Sequence, residues 1–88
     1  MQRRGTNGQL NTAVARVLSD TRERAGMSTR QLATAADIDH RTMMRYLYDE
    51  RAIDIDRLDR LSRALDLTPT EVLTRAQALI AAEGTASS

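Results

Sequence analysis

His40, Arg41, Met44 and Arg45 stand at i, i+1, i+4 and i+5 of one short segment, so on a helix they share an arc of about 140°. Their chemistry suits the edge of a base pair. A guanidinium donates two parallel hydrogen bonds to guanine O6 and N7, an imidazole N–H donates to a purine acceptor, and a thioether packs against a thymine methyl. The plain alternative is the solvated face of a short helix, but solvation leaves an exposed Met44 unexplained. His40 also raises the question of catalysis, because imidazole titrates near neutral pH. No nucleophile or orienting carboxylate surrounds it, and capping accounts for Asp37 and Asp39, so no enzyme is expected. With one His and no Cys, disulfide and thiolate chemistry are excluded and neither a metal site nor a cofactor is expected.

The elements that must hold this face are legible around it. Ser28 is a good N-cap for a run that buries Leu32 and Ala33 and stops at Ala36-Asp37, a helix over about 28–35. Ile38 is an isolated apolar residue, and Asp39 offers a second N-cap for a helix over about 39–48. Two helices so close in sequence cannot be collinear, which predicts a helix-turn-helix whose second helix protrudes, free to enter a major groove. Leu32, Ile38, Met43 and either Tyr46 or Leu47 plug the junction, and Ala33 lets the backbones approach. Tyr46 reads as core and Tyr48 as a helix-end contact, although either ring could stack or touch phosphate.

Elsewhere the chain reads as helix without a strand signal. Residues 1–8 form a flexible basic arm with Arg3 and Arg4. Leu10, Val14, Val17, Leu18, Thr21 and Ala25 give one helical face, closed by Gly26. Ile55, Leu58, Leu61 and Leu65 follow an Asp54 cap, with Asp56/Arg60 and Asp59/Arg63 as i,i+4 partners on the wet face. Thr68 caps a last helix with Pro69 in its first turn; Val72, Leu73, Ala76, Leu79 and Ile80 make its stripe up to Ala82, before residues 84–88 fray. The prediction is an all-α, compact five-helix domain over residues 9–83, one small core within an 88-residue chain. No apolar run approaches a membrane span or a secretory signal, so a cytosolic protein is expected. The formal charge is only +1, yet residues 1–45 hold eight Arg against four acids and residues 46–88 five against eight. All thirteen cations are Arg, which suits bidentate contacts and equally follows from the codon usage of a GC-rich genome.

Met27 to Leu73 resembles the lambda-repressor-like, Xre/Cro-type helix-turn-helix domain of phage repressors and many bacterial regulators. The resemblance lies in the lead-in Arg22 to Met27, the Ser28/Leu32/Ala33 spacing, Ile38 and Thr42-Met43. It continues in the Leu58/Leu61/Ala64-Leu65/Leu67 helix, followed by Thr70 to Leu73. Two positions depart from it: Asp37, where the family usually has Gly for a left-handed turn, and Tyr48-Asp49, where a helix-ending Gly is common. The resemblance implies a double-stranded DNA-binding transcriptional regulator, a repressor acting by operator occupation, in the bacterial cytosol or nucleoid and of host or phage origin. The alternative is a protein-interaction module, such as an antitoxin or regulatory adaptor, that uses Leu79 and Ile80 to bind a partner.

Relatives contact base edges at the positions of His40, Arg41, Met44 and Arg45, and DNA phosphates at the end of the domain that carries Ser28, Thr29 and Arg30, where helix N–H groups also favour an anion. Thr42, Arg22 and Arg51 are further phosphate candidates, although Arg22 and Arg51 could equally pair with a local acid such as Glu50 or Asp54. Arg3 and Arg4 can reach phosphates or a narrow minor groove, as terminal arms do. No small-molecule ligand is expected. Leu79 and Ile80 either project as a patch for a weak homodimer on DNA or fold back over the first helix within a monomer.

Overall fold

A computed structural model describes residues 8–87, with side chains through Glu83. Five helices carry every regular element among the described residues: α1 Gln9–Arg24, α2 Thr29–Ala36, α3 His40–Leu47, α4 Ile55–Ala64 and α5 Pro69–Ser87. The expected caps are in place. Ser28 Oγ accepts from the Gln31 N–H while Gln31 Oε1 accepts from the Ser28 N–H, a reciprocal capping box. Thr68 and Glu71 form the same arrangement at the head of α5. Asp39 and Asp54 accept from the N–H groups of Thr42 and Arg57.

The ends of α1 to α4 share one device. The N–H of Gly26, Asp37, Asp49 and Asp66 turns back to Glu23, Thr34, Tyr46 and Arg63, and the next residue's N–H reaches one carbonyl further back. Such an ending places its pivot residue in the left-handed region, at φ 72 for Gly26 and φ 56, 59 and 63 for Asp37, Asp49 and Asp66. The left-handed Asp37 turn sends α3 away from the axis of α2, and Ile38, 8% exposed, plugs the corner.

Burial follows from which stripe each helix turns inward. Val14, Val17, Leu18, Leu32, Met43, Tyr46, Leu58, Leu61, Leu65, Val72 and Ala76 make one continuous core, with Ala33 and Ala36 permitting close approach of α2. Three expectations are corrected and one open choice, at Leu79 and Ile80, is decided. Leu10 and Ile55 sit in the first turns of α1 and α4, beyond the packed stripes, and remain 42% and 82% exposed. Leu79 and Ile80 are half-buried against the core, because α5 lies along α1, and do not project as a free patch. Arg60 donates to the Asp37 carbonyl at 3.2 Å instead of pairing with Asp56, whereas Asp59–Arg63 forms at 2.7 Å. Finally, α5 continues through Gly84 to Ser87, since a lone Gly in an Ala-rich run weakens a helix by about 1 kcal/mol without supplying a turn.

Candidate nucleic-acid interface

The face predicted to read bases takes shape because α3 has one narrow buried stripe. Met43 and Tyr46 are 0% and 1% exposed, Leu47 is half-buried, and the opposite arc carries His40, Arg41, Met44 and Arg45. Arg41 and Arg45 are exposed one turn apart, and neither joins an ion pair or hydrogen bond among the described residues. Other arginines are engaged, Arg16 with Glu83, Arg57 with Asp54, Arg63 with Asp59 and Arg60 with a backbone carbonyl, whereas Arg24, Arg30 and Arg75 also lack such a partner among the described residues but do not lie on α3. Two cations that fold without internal partners, set side by side on a protruding helix, can give all their donors to an external acceptor.

His40 and Met44 are half-buried beside them. The His40 Nε2 lies 3.2 Å from Thr29 Oγ, so the first residues of α2 and α3 meet and the imidazole is held between two helix N-termini. Thr29 is half-buried, Ser28 and Arg30 are exposed, and together they form the leading end of α2, whose N–H groups favour an anion. Thr42 is half-buried in the first turn of α3, its N–H given to Asp39.

Arg22 has a different setting from the exposed pair. Its side chain is 16% exposed; Nη1 donates to the Met27 carbonyl at 2.7 Å and Nη2 lies 3.5 Å from Glu23, while the buried Nε has no partner. Its acid partner is Glu23, not Glu50 or Asp54, and its main bond ties α1 to the entry of α2. Arg51 is exposed in the α3–α4 segment, where its charge helps to lower the pKa of Asp54. Arg3 and Arg4 lie outside the described residues.

Spacing along the chain did not reveal one cluster beside this face. Asn11 and Thr12, in the first turns of α1, meet Asp49 and Ile53 just past α3. A polar pair in a first turn reads as solvated, and no periodicity couples it to residues about forty positions away. The family's habitual Gly at the position of Asp49 was the one signal that this Asp needed a reason.

No helix among the described residues is long and apolar enough to cross a membrane. A short capped helix, a left-handed turn and a protruding second helix with a basic outer face define a helix-turn-helix nucleic-acid-binding domain. The chain belongs to the family of Cro/C1-type helix-turn-helix DNA-binding domains, which matches residues 17–77. Its fold is similar to that of the clp gene regulator ClgR from Corynebacterium glutamicum, at a TM-score of 0.81 and 20% identity over 89% of this chain and 83% of that one. The restriction-modification controller protein C.AhdI from Aeromonas hydrophila aligns at 0.67 and 22% identity, covering 70% of this chain and 94% of the other. The wild-type controller protein C.Esp1396I aligns at 0.71 and 20% identity, covering 80% and 94%. No curated protein sequence gives a significant match.

Proposed function

We propose that this DNA-binding domain represses transcription by sitting on a specific operator, with α3 in the major groove and polymerase excluded by occupation alone. The observation that carries this reading is the unpartnered Arg41/Arg45 pair on the outer arc of α3, opposite the sealed Met43 and Tyr46. Arg41 and Arg45 take guanine edges, His40 and Met44 take neighbouring bases, and Ser28, Thr29, Arg30, Thr42 and Arg51 lie against phosphates. Arg22 supports the α1–α2 corner from within and reaches phosphate only with its outer edge.

The test is to select duplexes from a random library and then compare Arg41→Ala and Arg45→Ala on the selected and on random DNA. Each should cost about 1 to 3 kcal/mol on the selected site and relax preference at one base pair, with a far smaller loss on random DNA. Equal losses on both would make these phosphate contacts and overturn the base-reading assignment.

The adaptor alternative stood on a free Leu79/Ile80 stripe, and that stripe is docked on the core. A second copy of the chain is supported at another place. Leu10 and Ile55 flank an apolar hollow of about 280 Å³ whose walls include Val14, Ile53, Leu58 and Leu73. One patch thus carries both a projecting side chain and a hollow, as a two-fold interface requires, each Ile55 entering the other copy's hollow. Such a patch falls short of the ~1,200 Å² of a stable interface, so the pair forms weakly in solution and is completed on DNA.

A further inference from the structure

We infer that Asn11, Thr12 and Asp49 form a clamp that sets the attitude of α3 against the body of the domain and so governs its discrimination among DNA sequences; this rests on α3 being the base-reading helix. The need for a clamp comes from the length of that helix. Eight residues span about 12 Å, and only Met43 and Tyr46 are fully sealed beneath them. One apolar stripe resists lifting but opposes rocking about its own line much less, whereas a side chain that reads a base edge must be held to about 0.5 Å and 10–20°.

The clamp supplies what the stripe lacks. Asp49, two residues beyond α3, accepts from Asn11 Nδ2 at 2.6 Å through one carboxylate oxygen and from Thr12 Oγ at 2.5 Å through the other. Asn11 Oδ1 in turn accepts the Ile53 N–H at 2.9 Å. Two consecutive residues of α1 therefore grip the segment leaving α3 at two points, through bonds that are short and, at the carboxylate, charge-assisted. At its other end, α3 is tied by the Thr29–His40 contact and, through the preceding turn, by Arg60 on the Asp37 carbonyl. The helix is held at both ends, and of its reading arc only His40 takes part in a tie.

The backbone at Asp49 supports a role beyond stability. Its φ of 59 is a conformation Gly adopts without penalty. Asp37 and Asp66 adopt the same conformation with no hydrogen bond to their carboxylates among the described residues. At Asp49 the strain is spent on holding α1, the pattern expected where geometry serves function.

The test uses the full chain, a duplex selected by the wild-type chain from a random library, and a random duplex of equal length. Asp49→Gly sets lost hydrogen bonds against relieved strain, so its melting temperature moves little. Its preference for the selected duplex should nevertheless fall by about three- to tenfold, the scale of coupling between contacting groups. Asn11→Ala should lose preference similarly, Asp49→Asn should restore most of it by keeping an acceptor for Asn11, and Asp66→Gly should leave it unchanged. An Asp49→Gly chain that discriminates as well as wild type, on a duplex that wild type does enrich, overturns the clamp alone. A wild-type chain that enriches no sequence overturns the reading of α3 and the clamp with it.

Discussion

Asp37, Asp49 and Asp66 each end a helix in a conformation that costs a side-chain-bearing residue roughly 1 kcal/mol relative to Gly, and each sets a carboxylate near the negative end of a helix dipole. At Asp37 and Asp66 nothing among the described residues offsets that cost, and the Arg60 bond goes to the Asp37 backbone carbonyl, which Gly would keep. Asp37→Gly and Asp66→Gly should therefore each stabilise the domain by up to about 1 kcal/mol, additively because they end different helices. Urea midpoints check this, and destabilisation by Asp37→Gly would show that its side chain caps the turn. Left-handed Asp37 was legible through the resemblance, which puts a Gly with a left-handed backbone at that turn position. At Asp66 no such signal exists: Asp-Leu-Thr marks a boundary without saying which residue turns over.

Helices were more legible than their neighbours. Caps at Ser28, Asp39, Asp54 and Thr68 and the stripes of α2 and α4 follow from local chemistry, and local chemistry is what a single sequence records. What it does not record is which end of an amphipathic helix overhangs the core. Ile55 and Leu10 keep helical spacing with buried residues yet sit one turn too early to be covered, while Leu79 and Ile80 are covered because α5 lies along α1. The Asn11–Asp49 bond was likewise invisible, since it depends on a meeting of α1 with the end of α3. A cap can be tested alone. The Arg57 N–H donated to Asp54, aided by the Arg57 guanidinium, holds that carboxyl below its ordinary value. With the folded pKa depressed, the contribution is complete above the unfolded value of about 3.9 and is lost as pH falls through the folded one. Asp54→Ala should cost about 1 kcal/mol at neutral pH, and variant and parent should converge in acid. A gap that persists below pH ~2, under the reference carboxylate value, would assign the cost to something other than the ionised cap.

Charge is polarised along the chain, with eight of the thirteen arginines in residues 1–45 and eight of the twelve acids in residues 46–88. Removing residues 1–7 takes Arg3 and Arg4 away and should flatten the salt dependence of DNA binding by up to about 2 in log–log slope, with helical content unchanged. An unchanged slope would remove the arm from the interface. The proposed pairing of two copies is tested at the Ile55 hollow. Ile55→Asp should convert a two-chain complex on the selected duplex to one chain, read by sedimentation, while Leu79→Asp should chiefly lower stability. Two chains retained by the Ile55 variant would sink that interface. The sealed Tyr46 and the 68%-exposed Tyr48 have a practical consequence as well, because they are the only aromatic residues in the chain. All intrinsic ultraviolet fluorescence arises within three positions of the end of α3. Acrylamide quenches the outer ring at once and the inner ring only after unfolding, so the protein carries an unlabelled optical gauge at the helix proposed to meet DNA.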